Sequence, residues 1–171
     1  MLDRIVKRIV RIIKLDWTVF SEIEKDETAN NDAIVIVVAA AFLAALGSAV
    51  HSGQFLGSFL LSLFSGVLVG WLLWSFLTSF IGTKLFGAET NFWEMARCIG
   101  YAYAFNAVGV LGIFGCVGSL FVIVGAALAL VASFFAIREA LDLPTDKTII
   151  TIVIGWAISL VVGLLVGMIL A

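Results

Sequence analysis

The hydrophobic pattern divides the chain before any motif is considered. Residues 33–81, 98–137 and 148–171 contain no Asp, Glu, Lys or Arg. A transmembrane helix needs about 20 apolar residues, at 1.5 Å rise each, to cross a bilayer core of about 30 Å. The first two stretches, 49 and 40 residues long, each suit two spans with a turn, and the last, of 24, makes one. The pattern therefore predicts five transmembrane helices, arranged as two hairpins and a final span. His51-Ser52-Gly53-Gln54 is the polar cluster that divides Ala33–Val50 from Phe55–Ile81. In the second stretch Gly109, Gly112, Gly115 and Gly118 loosen the chain around Phe114–Val117, dividing Met95–Ile113 from Gly118–Ile137. The fifth span is Thr148–Leu170. Helices are expected because lipid leaves only helices or closed barrels with a satisfied backbone, and a barrel would need short alternating segments.

A different periodicity precedes the spans. Residues 2–14 place Leu2, Ile5, Val6, Ile9, Ile12 and Ile13 on one helical face, with Arg4, Lys7, Arg8, Arg11 and Lys14 projecting from the other. That is the pattern of an amphipathic helix lying in a membrane interface. Five cations against Asp3 suit anionic lipid head groups, at up to about 1 kcal/mol per basic side chain. The alternative is docking of the same helix on the cytoplasmic side of the bundle, and both can hold together. Residues 15–32 reverse the sign, with Asp16, Glu22, Glu24, Asp26, Glu27 and Asp32 against Lys25, and read as a solvated acidic linker or a protein-binding patch. The expected organisation is a cytoplasmic segment over residues 1–32 and a five-helix membrane domain over 33–171. The first long apolar run lies behind 32 mostly polar or amphipathic residues, which is not the layout of a cleaved leader.

Composition agrees and excludes other classes. The chain is 63% hydrophobic and 13% charged, with a mean hydropathy of +1.18, where a soluble domain is about 45–50% apolar and about 25% charged. All ten Lys and Arg fall in the N-terminal segment or in the loops at the charged ends of the hairpins. The positive-inside rule then places the N-terminus in the cytoplasm and the C-terminus outside. Lys84, Glu94, Arg97, Arg138, Glu139 and Asp142 mark the cytoplasmic loops. Glu94 and Arg97 can pair, and Asn91 with Glu94 fits a capping box. Cys98 and Cys116 are expected about 27 Å apart along a helix, as free, packed thiols rather than a disulfide.

Candidate chemistry is sparse. One His and two separated Cys make no metal-ligand set, no cofactor is implied, and nucleophile-elbow, phosphate-loop and HExxH patterns are absent from the sequence. The reading is a non-enzymatic protein with no nucleic-acid partner. Small residues four apart predict close helix packing: Ser58, Ser62, Gly66 and Gly70; Ala96, Gly100 and Ala104; Gly155, Ser159, Gly163 and Gly167. The last stripe also fits a homodimer. Asn106 is the strongly polar side chain near mid-membrane, suited to a helix–helix hydrogen bond or, with Ser75, Thr78 and Ser133, to the wall of a small transport path. The five tryptophans suit interface or packing positions, and His51 a solvated place at the outer rim.

Phe80-Ile81-Gly82-Thr83-Lys84-Leu85-Phe86-Gly87 leads through a polar loop to Asn91-Phe92-Trp93-Glu94, then Arg97 and Gly100-Tyr101-Ala102. Ala136-Ile137-Arg138-Glu139-Ala140-Leu141-Asp142-Leu143 precedes Asp146-Lys147 and the final span. In order, spacing and shared cytoplasmic side these resemble the prokaryotic branch of the Yip-one domain family, over roughly residues 30–171. The resemblance implies a five-helix protein of a prokaryotic plasma (inner) membrane, with a cytoplasmic N-terminus. Eukaryotic members, named for interaction with Ypt/Rab GTPases, are linked to vesicle traffic and membrane shaping, and prokaryotic members lack an assigned activity. Here Phe105 and Asn106 stand where the family's Gly-Tyr motif is usually followed by proline, and the Asp-Leu-Tyr-Gly-Pro element is absent, so a GTPase partner is not carried over. The expected role is membrane organisation or scaffolding through anionic lipids or protein partners on the cytoplasmic face. The alternatives are an accessory subunit of a larger membrane complex and a small transporter or channel.

Overall fold

Apolar side chains in a bilayer have no reason to turn inward, so helices there pack through their small residues. That inversion organises this molecule. The computed structural model describes the backbone of residues 1–170 and the side chains of residues 1–161. Among these the chain is all-α, with six helices: α1 Leu2–Ile13, α2 Val19–Lys25, α3 Ala29–Ala49, α4 Phe55–Phe86, α5 Phe92–Leu141 and α6 Thr145–Leu170. Three of them, α3, α4 and α5, are long and apolar enough to cross a membrane. In α3 the buried positions include Ala33, Ala40, Ala41 and Ala45, while Val35, Val38 and Phe42 point outward.

The 50-residue α5 folds back on itself. Gly115 takes φ +61°, a left-handed value that costs a glycine nothing, and the chain reverses there into arms Phe92–Phe114 and Gly115–Leu141. Val108 lies against Gly125, and the Leu111 carbonyl against Gly118. The expected outer turn is thus where the sequence puts it. The other glycines of that series do something else. A Cβ on Gly109 would sit 2.9 Å from the Cα of Ala44, and one on Gly47 would overlap the Gly109 carbonyl oxygen. With Gly100 against Ala33 and Gly112 against Gly47, α3 and the first arm run parallel at backbone contact. Read as turn looseners, Gly109 and Gly112 are instead packing residues.

Helix α4 returns antiparallel to α3, with Phe42 edge-on to Phe59 and Gly66 beside Ala41. Its charged end stops at Gly87, φ +67°, whose N–H donates to the Thr83 carbonyl while the Ala88 N–H donates to the Gly82 carbonyl. That pair of hydrogen bonds satisfies the last carbonyls of the helix. Two tracts depart from α geometry: Leu68–Leu73 in α4 is π-helical, and Tyr103–Phe114 in the first arm of α5 is a 3-10 helix. Neither tract has a signal in the hydrophobic period.

Large buried side chains concentrate at the charged end. Val19, Phe20 and Ile23 of α2, Ile5 and Ile12 of α1, Met95 and Ile99 of the first arm, and Ile137 and Leu141 of the second form that core. The segment expected as a linker is therefore partly a packed helix, because its polar residues alternate with Val19, Phe20 and Ile23 at helical spacing.

Candidate functional site

The opposed charges of residues 1–14 and 15–32 meet at the charged end of the bundle. Arg4 holds Asp32 in a two-pronged grip, Nε donating to Oδ2 at 2.7 Å and Nη2 to Oδ1 at 2.9 Å. Tyr101, from the first arm of α5, donates its hydroxyl to the same Oδ2 at 2.9 Å. Asp32 is 0% exposed, so its charge persists there only because these donors replace water. One turn along α1, Arg8 donates to Asp26 at 2.7 Å, and its guanidinium lies 5.7 Å from the centroid of the Tyr101 ring. One turn further, Arg11 donates to Asp16 at 2.7 Å and to Glu22 at 2.8 Å. The spacing of 4, 8 and 11 puts all three arginines on one flank of α1, and the acidic segment presents a carboxylate to each.

This arrangement tilts the electrostatics of the acids. Burial alone would raise the Asp26 carboxyl, but hydrogen bonds from Thr28 and Arg8 outweigh it and hold it below the ordinary carboxylate range. Hydrogen bonds from Thr18 and then Arg11 do the same for Asp16. Glu24 moves the other way, raised first by burial and then by the charge of Asp142.

Helix α1 is rotated from the simple amphipathic reading. Ile5 and Ile12 are buried beside the arginine flank, whereas Leu2, Val6, Val10 and Ile13 are exposed. Lys7 is exposed and pairs only with Asp3, at 3.0 Å, and Lys14 is exposed too. Of the five cations proposed to face lipid, Arg4, Arg8 and Arg11 meet protein carboxylates and Lys7 and Lys14 face outward.

Arg97 is a different residue from the loop cation its sequence position suggested. It is 4% exposed, and Glu94 is 3.9 Å away. Its guanidinium donates to the Ile23 carbonyl at 3.1 Å, to the Glu24 carbonyl, and to Asn30 Oδ1 at 3.3 Å. It caps the carbonyls at the end of α2, where a cation also complements the helix dipole. Cys98, one residue on, is buried with its thiol 3.8 Å from the Phe20 carbonyl, and Trp17 stacks on Phe135 at 4.7 Å. Cys116 is exposed, not packed, because it sits at the tip of the turn at Gly115; both thiols are free. The capping box forms as read, Glu94 N–H donating to Asn91 Oδ1 at 3.0 Å and Asn91 N–H to Glu94 Oε2 at 2.9 Å.

The remaining sequence candidates divide. Lys84 is exposed, Asp142 is exposed in a left-handed C-cap, and Arg138 reaches Glu139 at 3.8 Å. Gly66 and Gly70 pack on Tyr103, Gly100 on Ala33, and Gly155 on Trp74. Ser58 and Ser62 do not bury, because Phe55–Val67 contains no buried residue. Ser62 and Ser159 instead face cavities, and packing at Gly163 and Gly167 lies outside the described side chains. Ser75 and Thr78 are fully buried, while Asn106 and Ser133 line open space, so the four residues of the conceived transport path do not share one cavity. His51 is exposed, with Nε2 3.1 Å from the Ile113 carbonyl, tying together the two turns at the uncharged end of the bundle. The residues that sequence reasoning missed are Asp32 and Tyr101. An acid directly abutting a charge-free run was the available signal for the first.

A family model described as the Yip1 domain matches residues 18–167. No curated protein and no solved structure matches the chain. The matched segment takes in α2 and most of the molecule, leaving α1 ahead of it. The chain belongs to the Yip1 family, whose members are generally non-enzymatic membrane-trafficking proteins.

Proposed function

We propose that this Yip1-domain protein is a membrane organiser of a prokaryotic plasma membrane, crossing it five times with the N-terminus in the cytoplasm and the C-terminus outside. In this reading α1 lies along the inner leaflet, held to the bundle by its arginine flank and offered to anionic lipid by its other flank. The observation that carries the proposal is the outward face of α1. Leu2, Val6 and Ile13 are 68%, 58% and 59% exposed, and Lys7 and Lys14 stand beside them. An apolar strip edged by lysines is the face an interfacial helix presents to head groups, the lysine stems lying along the apolar surface with their ammonium groups at the phosphates. Support for five spans comes from the reversal at Gly115, which divides α5 into two arms, and from the 26-residue apolar α6. Each cytoplasmic loop in this topology is charged, and the outer turns carry none of the chain's Lys, Arg, Asp or Glu.

The test separates the two flanks. An environment-sensitive dye at Val10→Cys, in a Cys98→Ser, Cys116→Ser background, reports burial of the outward strip in nanodiscs with and without phosphatidylglycerol. The dye signal should shift with the anionic lipid, and Lys7→Glu with Lys14→Glu should remove most of the shift. A signal identical in neutral and anionic nanodiscs sinks the lipid reading while leaving the docked flank untouched.

A further inference from the structure

Away from its charged end the bundle is not closed. Two cavities meet at Asn106 and Ala126, the outer one walled by α3, α4 and both arms of α5, the inner one by α4, both arms of α5 and α6. The outer one, about 520 Å³, is lined by Ser48, His51, Ser62 and Ser119 as well as Asn106. The inner one, about 490 Å³, runs along Trp74, Ile99, Leu130 and Trp156, with Tyr103 and Ser133 on its wall. Each falls within the roughly 300–1,000 Å³ of small-molecule sites.

The two departures from α geometry build this cleft. In a 3-10 helix side chains three apart eclipse, so Tyr103, Asn106, Gly109 and Gly112 form one straight row instead of drifting around the arm. Tyr103 borders the inner cavity, Gly109 and Gly112 the outer, and Asn106 both. Across the cleft, Val69 and Gly70 come from the π-helical tract, and Gly70 approaches the Tyr103 hydroxyl closely enough that a Cβ there would lie 3.3 Å away. Below, Trp71 donates its indole N–H to the Ala96 carbonyl at 2.7 Å, and Ser75 and Thr78 are fully buried. The cleft ends there, open at the outer rim and blocked toward the charged end.

Its chemistry is graded. Hydroxyls, an imidazole and a carboxamide occupy the outer part, while aromatic and aliphatic surface fills the inner part. Among the described residues, the side chains of Ser62, Tyr103, Asn106 and Ser133 make no hydrogen bond within the protein, and polar groups at membrane depth need partners. No Asp, Glu, Lys or Arg lines either cavity. We propose that the cleft binds a neutral amphiphile of the diacylglycerol class drawn from the outer leaflet. Its hydroxyl-bearing head lies among Ser48, His51, Ser62 and Ser119, its ester region at Asn106, and an acyl chain runs inward past Trp74 and Trp156. A phosphate head group finds no countercharge and is disfavoured. The choice of the outer leaflet rests on the topology proposed above, whereas the cleft itself does not depend on lipid contact by α1.

The experiment uses the full-length protein in phosphatidylcholine nanodiscs and reads tryptophan fluorescence, since Trp74 and Trp156 line the inner cavity. Diacylglycerol with brominated acyl chains is titrated against phosphatidylglycerol with the same chains. The expected result is saturable quenching by the diacylglycerol at low mole fraction and only gradual, linear quenching by phosphatidylglycerol. Ala126→Phe and Ser62→Phe, which fill the cleft from opposite walls at positions that are not buried, should each abolish saturation. Asn106→Leu should weaken binding about tenfold, the scale of one or two lost hydrogen bonds. Linear quenching by both lipids, saturation by both alike, or saturation that survives both Phe variants in protein with an unchanged melting temperature overturns the proposal.

Discussion

Arg97 joins two elements that are far apart in sequence at the charged end of the bundle. Its guanidinium takes the carbonyls of Ile23 and Glu24 while its own backbone belongs to the first arm of α5. Removing it leaves the Glu24 carbonyl and Asn30 Oδ1 without this donor, while the Ile23 carbonyl keeps the Asp26 N–H at 3.2 Å; an unsatisfied group of this kind costs about 1–3 kcal/mol. We expect Arg97→Met to lower stability by about 2–3 kcal/mol in detergent melts, and Arg97→Lys to recover only part, because an ammonium cannot reproduce the planar fork. Asp32 is the second such residue. Arg4→Ala would strip the buried carboxylate of its two-pronged donor, whereas Arg4→Ala with Asp32→Asn would remove the charge as well and restore much of the loss. A double-mutant cycle on proteolytic protection of α1 measures this directly, and additive effects would contradict the pairing.

The same cluster sets a pH dependence of two signs. Asp16 and Asp26 are held below their unfolded values, so their contribution is complete above about pH 4 and is lost as pH falls through their folded values. Glu24 is raised, so its protonation favours the folded form, and stability rises as pH falls through that raised value. The melting temperature should therefore climb slightly on mild acidification before falling steeply, and Glu24→Gln should remove the climb without moving the fall. A monotonic profile in the parent protein would show that the half-buried Glu24 is not felt.

At the scale of elements, the three long apolar helices and the turns were legible in the sequence because they follow from where charge is absent. His51–Gln54 and Gly115 sit where the pattern put them. What the pattern missed depends on contacts between distant segments. Helix α2 is only seven residues long, too short to show an amphipathic period against its acids. The rotation of α1 depends on carboxylates up to 28 residues away. The 3-10 and π tracts depend on how closely α3 and α4 approach the first arm, which no local propensity encodes. Glycines show the same limit: the sequence identified small-residue stripes but could not tell a turn glycine from a contact glycine. Gly47→Leu or Gly109→Val would drive a side chain into backbone and should cost 1–3 kcal/mol or more. Ser58→Ala, on the unburied outer half of α4, should stay within about 0.5 kcal/mol. Thermal unfolding of the three variants compares the two kinds of small residue.

The whole molecule carries its charge at one end and its two cysteines at different depths, and this makes topology testable with native residues. Cys116 sits exposed beside Gly115, where α5 reverses, near the His51 turn. Cys98 is fully buried against α2, next to Arg97. If the positive-inside assignment is right, Cys116 faces the outside of the cell while every Lys and Arg faces the cytoplasm. A membrane-impermeant maleimide applied to intact cells of a prokaryotic host should then modify the protein once, and Cys116→Ser should abolish the labelling. Cys98 should react only after denaturation, and Arg97→Met should quicken its reaction by loosening α2 over it. Labelling of Cys116 solely in inverted vesicles would reverse the topology. It would also move α1, with its lysine-edged apolar strip, to the opposite leaflet, and the cleft at Asn106 would then open toward the cytoplasm. One reagent thus orients both proposed lipid contacts, because in the proposed topology α1 and the cleft mouth lie on opposite sides of the membrane.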